Sequence, residues 1–200
     1  PGEHSETLTC KELLKAYEER SIKGLVVLSW TTPAWRIAFE AAGISIIRLG
    51  NDCPHGVRTD GHRFILDSVD ELVRHGRRRI GLITWGGPSH RHPAQTEYLT
   101  LHLQKLGLET NPKRIFSDAT PGNPGAGWDG MRDIWRHREE RPDGLIVADE
   151  VLLKGVLLAA NELGIGIPKD LMICVFTALP STHWGRATIC EFGPDMDQIV

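Results

Sequence analysis

The chain has 200 residues, 40% of them hydrophobic and 24% charged, which is enough to bury a core and rules out a disordered or collagen-like chain. Its 23 basic and 26 acidic residues leave a net charge of -3, without the positive excess that draws a chain to phosphate backbones. No apolar run approaches the roughly 20 residues that span a bilayer, and residues 1–9 carry no signal-peptide pattern, so neither anchoring nor export is expected.

Thr9 and Glu12 fit an S/T-x-x-E capping box and Leu13, Leu14 and Tyr17 then fall on one stripe, predicting a helix over 10–21. Residues 24–29 (GLVVLS) read as a short strand covered on both faces. Thr32 followed by Pro33 predicts the start of a helix that Gly43 ends, ahead of a strand over 44–49. From Asp60 a helix carries Ile65, Leu66, Val69, Leu72 and Val73 at helical spacing and stops at Gly76; a strand over 80–84 follows. After a polar loop, Leu99, Leu103 and Leu106 stripe a helix that ends at Gly107. Residues 117–127 (SDATPGNPGAG) form the strongest cluster of breakers and read as a loop. Trp128, Met131, Ile134 and Trp135 stripe the next helix, 144–148 is a strand, and Leu152, Val156, Ala159 and Leu163 stripe a helix closed by Gly164 ahead of a strand over 171–176.

Alternating β and α units of this size imply an α/β class with mostly parallel sheet, because parallel neighbours need a crossover helix. Ligands of such sheets bind beyond the carboxyl ends of the strands. Functional residues are therefore sought after Ser29, Leu49, Thr84, Ala148 and Phe176.

Enzyme signatures are scarce: there is no phosphate-binding G-x-x-x-x-G-K-[ST], no G-x-G-x-x-G after a strand, no G-x-S-x-G and no H-E-x-x-H. His90, Arg91 and His92, or Cys53 with His55, could contribute to a zinc site, but neither group offers a full set of ligands at recognisable spacing. No metal or other cofactor is expected. Cys10, Cys53, Cys174 and Cys190 lack C-x-x-C spacing and read as reduced thiols of a cytoplasmic protein. Arg74, Arg77, Arg78 and Arg79 form the one basic cluster, which complements a helix C-terminus and has no accompanying nucleic-acid motif. Trp30 and Trp85 stand directly after strands, at the ligand-facing edge, where they either stack on a ligand or pack. Asp60, Asp149 and Glu150 also follow strands, where they either cap helices or accept hydrogen bonds from hydroxyl or amine ligands.

Two stretches carry a resemblance. Residues 57–60 (VRTD), then 66–72 (LDSVDEL) and 73–83 (VRHGRRRIGLI), and later 141–150 (RPDGLIVADE), Gly155 and 160–176 (ANELGIGIPKDLMICVF), resemble the LacI/GalR family of bacterial transcriptional regulators in order and spacing. The resemblance implies a periplasmic-binding-protein-like effector domain of type I, with two Rossmann-like lobes of parallel sheet and flanking helices and a small-molecule cleft between them. On that pattern 1–77 belong to the first lobe, which is incomplete, 78–186 to the second, and 187–200 cross back to the first. The chain then looks truncated at both ends. It also implies a homodimer that meets operator DNA only through a helix-turn-helix headpiece absent from these residues.

Carried over position by position, the family's ligand residues depart from its pattern. The arginine that opens the second lobe's first helix falls at Gln95, the Asn-Asp pair at Asp149 and Glu150, the Gly-Phe-Asp-Asp turn reads 175–178 (VFTA) with Thr177 at the aspartate, and the polar residue of the return strand falls at Glu191. Losing a charged hydrogen-bond partner costs roughly 1–3 kcal/mol, so a standard hexose is not expected; a small polar effector is, sugar-related or, given Asp60, Asp149, Glu150 and Glu191, cationic. A solute receptor of a transporter shares the fold, and an enzyme using the His90/His92 loop is the remaining alternative.

Overall fold

The computed structural model describes residues 11–27, 33–49, 56–57, 60–86, 93–120, 122–177 and 188–193. Thr9, Trp30, Thr32, Cys53, His55, His90, Arg91 and His92, all singled out above, lie outside the described residues. The chain divides into two compact units, Pro1–Thr59 and Asp60–Val200.

In the first unit, α1 (Lys11–Glu18), β1 (Gly24–Val27), α2 (Pro33–Ala41), β2 (Ser45–Leu49) and β3 (Gly56–Val57) build a parallel sheet in the order β1-β2-β3. Its core is Phe39, Ile44 and Ile46, joined by Leu13, Tyr17, Leu25 and Val27. The expectation that β1 is covered on both faces fails among the described residues: its exposure alternates, Val26 is 63% exposed, and Ile47 of β2 is 49% exposed. Leu25, Val27 and Ile46 turn to the side where Tyr17 and Phe39 meet edge to face, which leaves Val26 and Ile47 on the other.

The second unit contains α3 (Gly61–Arg74), β4 (Ile80–Trp85), α4 (Pro93–Lys105), β5 (Ile115–Ala119), α5 (Pro124–Trp135), β6 (Gly144–Val147), α6 (Glu150–Glu162), β7 (Met172–Phe176) and β8 (Cys190–Phe192). Five parallel strands pair in the order β5-β4-β6-β7-β8. Alternate residues of the central strands face opposite cores, as strand geometry requires. Leu82, Ile146, Met172 and Cys174 meet Phe64, Ile65, Val69 and Leu72 of α3 and Leu99 and Leu103 of α4. Ile83, Leu145, Val147, Ile173 and Val175 meet Met131 and Ile134 of α5 and Leu152, Val156 and Ala159 of α6.

Three sequence expectations change here. The boundary falls before the helix that was placed in the first lobe, since the buried stripe of α3 packs on α4 and β7 of the second unit. The supposed loop 117–127 begins as strand and ends as helix: β5 is an edge strand with Ser117 and Asp118 exposed and only Ala119 buried, so it lacks an apolar signature. Residues 190–192, expected to cross back to the first lobe, pair with β7 in the second unit's own sheet. The four glycines read as helix stops, Gly43, Gly76, Gly107 and Gly164, all adopt positive φ, the conformation a side chain resists.

The amino rim of this sheet is tied by charge and capping. Asp143, just before β6, accepts from the backbone N–H of Arg78 and Arg79, just before β4. Arg77 donates to the carbonyl of Pro168 ahead of β7 at 2.6 Å. Arg114, 2% exposed, donates through Nε to the Glu140 carbonyl and through Nη2 to the carboxylates of Glu109 and Glu140.

Candidate functional site

Because all strands of the second unit are parallel, their carboxyl ends and the amino ends of α3, α4, α5 and α6 meet the same rim. Trp85, Asp149, Thr177 and Gly193 follow or end successive strands there, about 4.8 Å from strand to strand.

On the α3–α4 side, Asp60 is exposed and caps α3, its carboxylate accepting from the Arg63 N–H at 2.9 Å. Its neighbour Gly61 lies against Gln95 of α4: a methyl group built on Gly61 would meet the Gln95 amide nitrogen at 3.8 Å. The Thr84 hydroxyl, fully buried at the end of β4, donates to Gln95 Oε1. Gln95 is thus held between β4 and the start of α3. The rings of His62 and Tyr98 meet at 4.3 Å, tilted by 50°. Trp85 is partly buried against the α5–α6 core and keeps part of its surface at the rim.

On the other side, Asp149 is the N-cap of α6 and accepts from Val151 N–H at 2.8 Å and Leu152 N–H at 2.9 Å. Burial pushes its carboxyl above the ordinary aspartate range, the two backbone N–H groups pull it down, and Glu150 adds an upward push. Both Asp60 and Asp149 cap helices. Glu150 sits in the first turn of α6.

A raised carboxyl in the folded state binds its proton more tightly than the unfolded chain does. Its stabilising contribution is therefore present in acid and lost as pH rises through the raised value. Asp149→Asn keeps the acceptor oxygen and removes the titration, so relative to it the wild type loses stability as pH rises from the ordinary aspartate range. Asp149→Ala loses the cap as well and costs about 1 kcal/mol. Urea unfolding of the three proteins across that range checks both statements.

Thr177 is buried after β7, and its N–H donates to the Phe192 carbonyl at 2.7 Å. Glu191 is the register partner of Val175, which turns to the α5–α6 core, so it occupies the opposite face of the sheet from Cys190 and Phe192. Of the four acidic residues proposed from sequence to bind a cation, Asp60 caps α3, Asp149 caps α6, Glu150 sits in the first turn of α6 and Glu191 lies on the α5–α6 face. Among the described residues no group of three or more His, Cys, Asp and Glu is placed to hold a metal.

Sequence reasoning missed Thr84, Gly86 and Gly193. The sole signal for Thr84 is a hydroxyl closing an otherwise apolar strand. Gly86 and Gly193 are sites of close backbone approach, where a Cβ would fall 2.6 Å from the Ser117 and Thr177 carbonyl oxygens respectively. A glycine just after each strand was the available clue.

The sequence profile of the periplasmic binding protein-like domain matches residues 69–188. The HTH-type transcriptional regulator LacR of Lactobacillus helveticus is 24% identical over 114 residues, 54% of this chain and 33% of the regulator. The match thus spans about a third of that relative's length. Among solved structures, the transcription regulator CcpA of Lactococcus lactis shares the fold at TM-score 0.76 and 15% identity, over 94% of this chain and 70% of that one. A LacI family transcriptional regulator from Lactobacillus casei, solved with bound sucrose, does so at TM-score 0.75 and 16% identity, over 94% and 71%. No helix of the described residues is long and apolar enough to cross a membrane.

Proposed function

Since the chain belongs to the periplasmic binding protein-like domain family, we propose that it is the effector-sensing part of a cytoplasmic transcriptional regulator, one that binds a small polar, sugar-like molecule. The observation that carries this reading is the convergence of Asp60, Thr84, Trp85, Gln95, Asp149 and Thr177 on the carboxyl rim of one parallel sheet, where α/β sheets bind ligands. LacR is named as an HTH-type regulator and the Lactobacillus casei relative holds sucrose, which supports both halves of the proposal. The domain binds and does not catalyse. Its effector shifts the conformational equilibrium of a homodimer and so the DNA affinity of a helix-turn-helix headpiece outside these 200 residues.

Within that reading the ligand is neutral and rich in hydroxyl oxygens. The one amide fixed at the rim offers a donor, and two of the acidic residues already accept backbone N–H groups. Calorimetric titration of the chain with mono- and disaccharides, polyols and small amines should give saturable binding to a saccharide or polyol. Gln95→Ala should weaken it about tenfold, the loss of one hydrogen bond of about 1.4 kcal/mol. Binding confined to amines, or binding indifferent to Gln95→Ala, overturns this reading of the ligand.

A further inference from the structure

Cys174 and Cys190 are register partners on the adjacent parallel strands β7 and β8. Neighbouring strands run about 4.8 Å apart, inside the roughly 4.4–6.8 Å range of Cα separations that disulfides adopt. Both side chains turn to the α3 side, Cys174 within the core there and Cys190 packed against it. Both thiols are free. Their surroundings differ. Cys174 is fully buried beside the Ser68 carbonyl, whereas Cys190 is partly exposed, 4.0 Å from a Glu71 carboxylate oxygen. β8 is three residues long and forms the edge of the sheet, so it can close on β7 by the ångström or so that bonded Cβ atoms, about 3.8 Å apart, require.

We propose that Cys174 and Cys190 are a reversible oxidative cross-link site, with Cys190 the attacking thiol, Cys174 the resolving one and a disulfide such as oxidised glutathione the oxidant. The Cys190 thiolate attacks one glutathione sulfur, the glutathione S–S bond breaks, and one glutathione leaves as thiolate with the electron pair. Cys174 attacks the Cys190 sulfur, expels the second glutathione and passes its proton to that departing sulfur. Two protein thiols are oxidised and one glutathione disulfide is reduced to two thiols. The bond fixes β8 against β7, and with it Glu191 and the Thr177–Phe192 hydrogen bond at the rim.

The test uses the whole chain with Cys10→Ser and Cys53→Ser, incubated with oxidised glutathione at about pH 9.5, above the ordinary thiol range, because burial and the Glu71 carboxylate push the Cys190 thiol up. Trypsin cuts after Lys169 and Arg186, so the expected product is peptide 170–186 joined to 187–200, released by dithiothreitol. Amide exchange of 190–192 should slow in the oxidised protein. Cys174→Ala should trap the Cys190–glutathione adduct, and Cys190→Ala should abolish adduct and cross-link together. Unreacted thiols, a stable Cys190–glutathione adduct without cross-link while Cys174 is present, or a cross-link formed only in urea would each overturn the proposal.

Discussion

Gly155→Ala should lower the melting temperature of the second unit by about 6–12 °C. A Cβ at Gly155 falls 1.9 Å from the Pro124 carbonyl oxygen and 2.5 Å from the Trp128 nitrogen, and one at Gly127 falls 2.0 Å from the Leu152 carbonyl oxygen. These neighbours are backbone, so no side-chain rotation relieves the clash. α5 and α6 must move apart, and the packing of Met131 and Ile134 with Leu152, Val156 and Ala159 is lost with them. Overpacking of this kind costs about 3 kcal/mol, and each kcal/mol moves the midpoint of a domain of this size by about 2–4 °C. In an unencumbered helix the same substitution would stabilise by up to about 1 kcal/mol, so the sign itself is diagnostic. Gly127→Ala should act alike, and the double variant should cost less than the sum because both substitutions pry at one crossing. Lys154→Ala, exposed on the same helix, should change little. Thermal melts by circular dichroism decide it; a melting temperature unchanged in Gly155→Ala would contradict the helix crossing described.

Glu140→Ala should destabilise the chain by about 3 kcal/mol, although Glu140 lies ahead of β6, at the rim of the sheet opposite the proposed ligand residues. It neutralises Arg114, whose guanidinium is almost wholly buried, with Nη2 3.2 Å from the Glu140 carboxylate and 3.0 Å from that of Glu109. Glu109 is 64% exposed, so solvent screens it and it replaces little of what Glu140 provides. Stripping one partner from a buried pair leaves an uncompensated charge, whereas replacing both by apolar groups is often close to neutral. Arg114→Met with Glu140→Leu should therefore recover most of the stability that Glu140→Ala loses, a non-additivity that urea unfolding of the single and double variants reads directly. Equal losses in the single and double variants would show that packing, not charge, is what Glu140 supplies.

Most of the architecture is legible along the chain because local signals agree. The glycine stops at Gly43, Gly76, Gly107 and Gly164 take the left-handed backbone they imply, and the stripe Ile65, Val69, Leu72 is buried in α3. What escapes is what depends on partners. β5 is polar because it is an edge, and polarity is also the mark of a loop. The stripe of α3 shows that the helix packs but not on which unit, so the boundary drawn after it belonged before it. At the rim, Asp60 and Asp149 follow strands and cap helices. The bond from Thr84 to Gln95 joins residues on either side of a crossover whose path no periodicity records.

The two rims of the second unit's sheet do different work. Arg77, Arg114, Glu140 and Asp143 bind the amino rim together, while Gln95, Trp85 and Thr177 line the carboxyl rim. On the proposed reading, substitutions at Gln95 and Trp85 change recognition without touching the ion pair and caps of the amino rim. If the proposed effector site is right, a designer altering its specificity can work along the carboxyl edge and leave the amino edge alone.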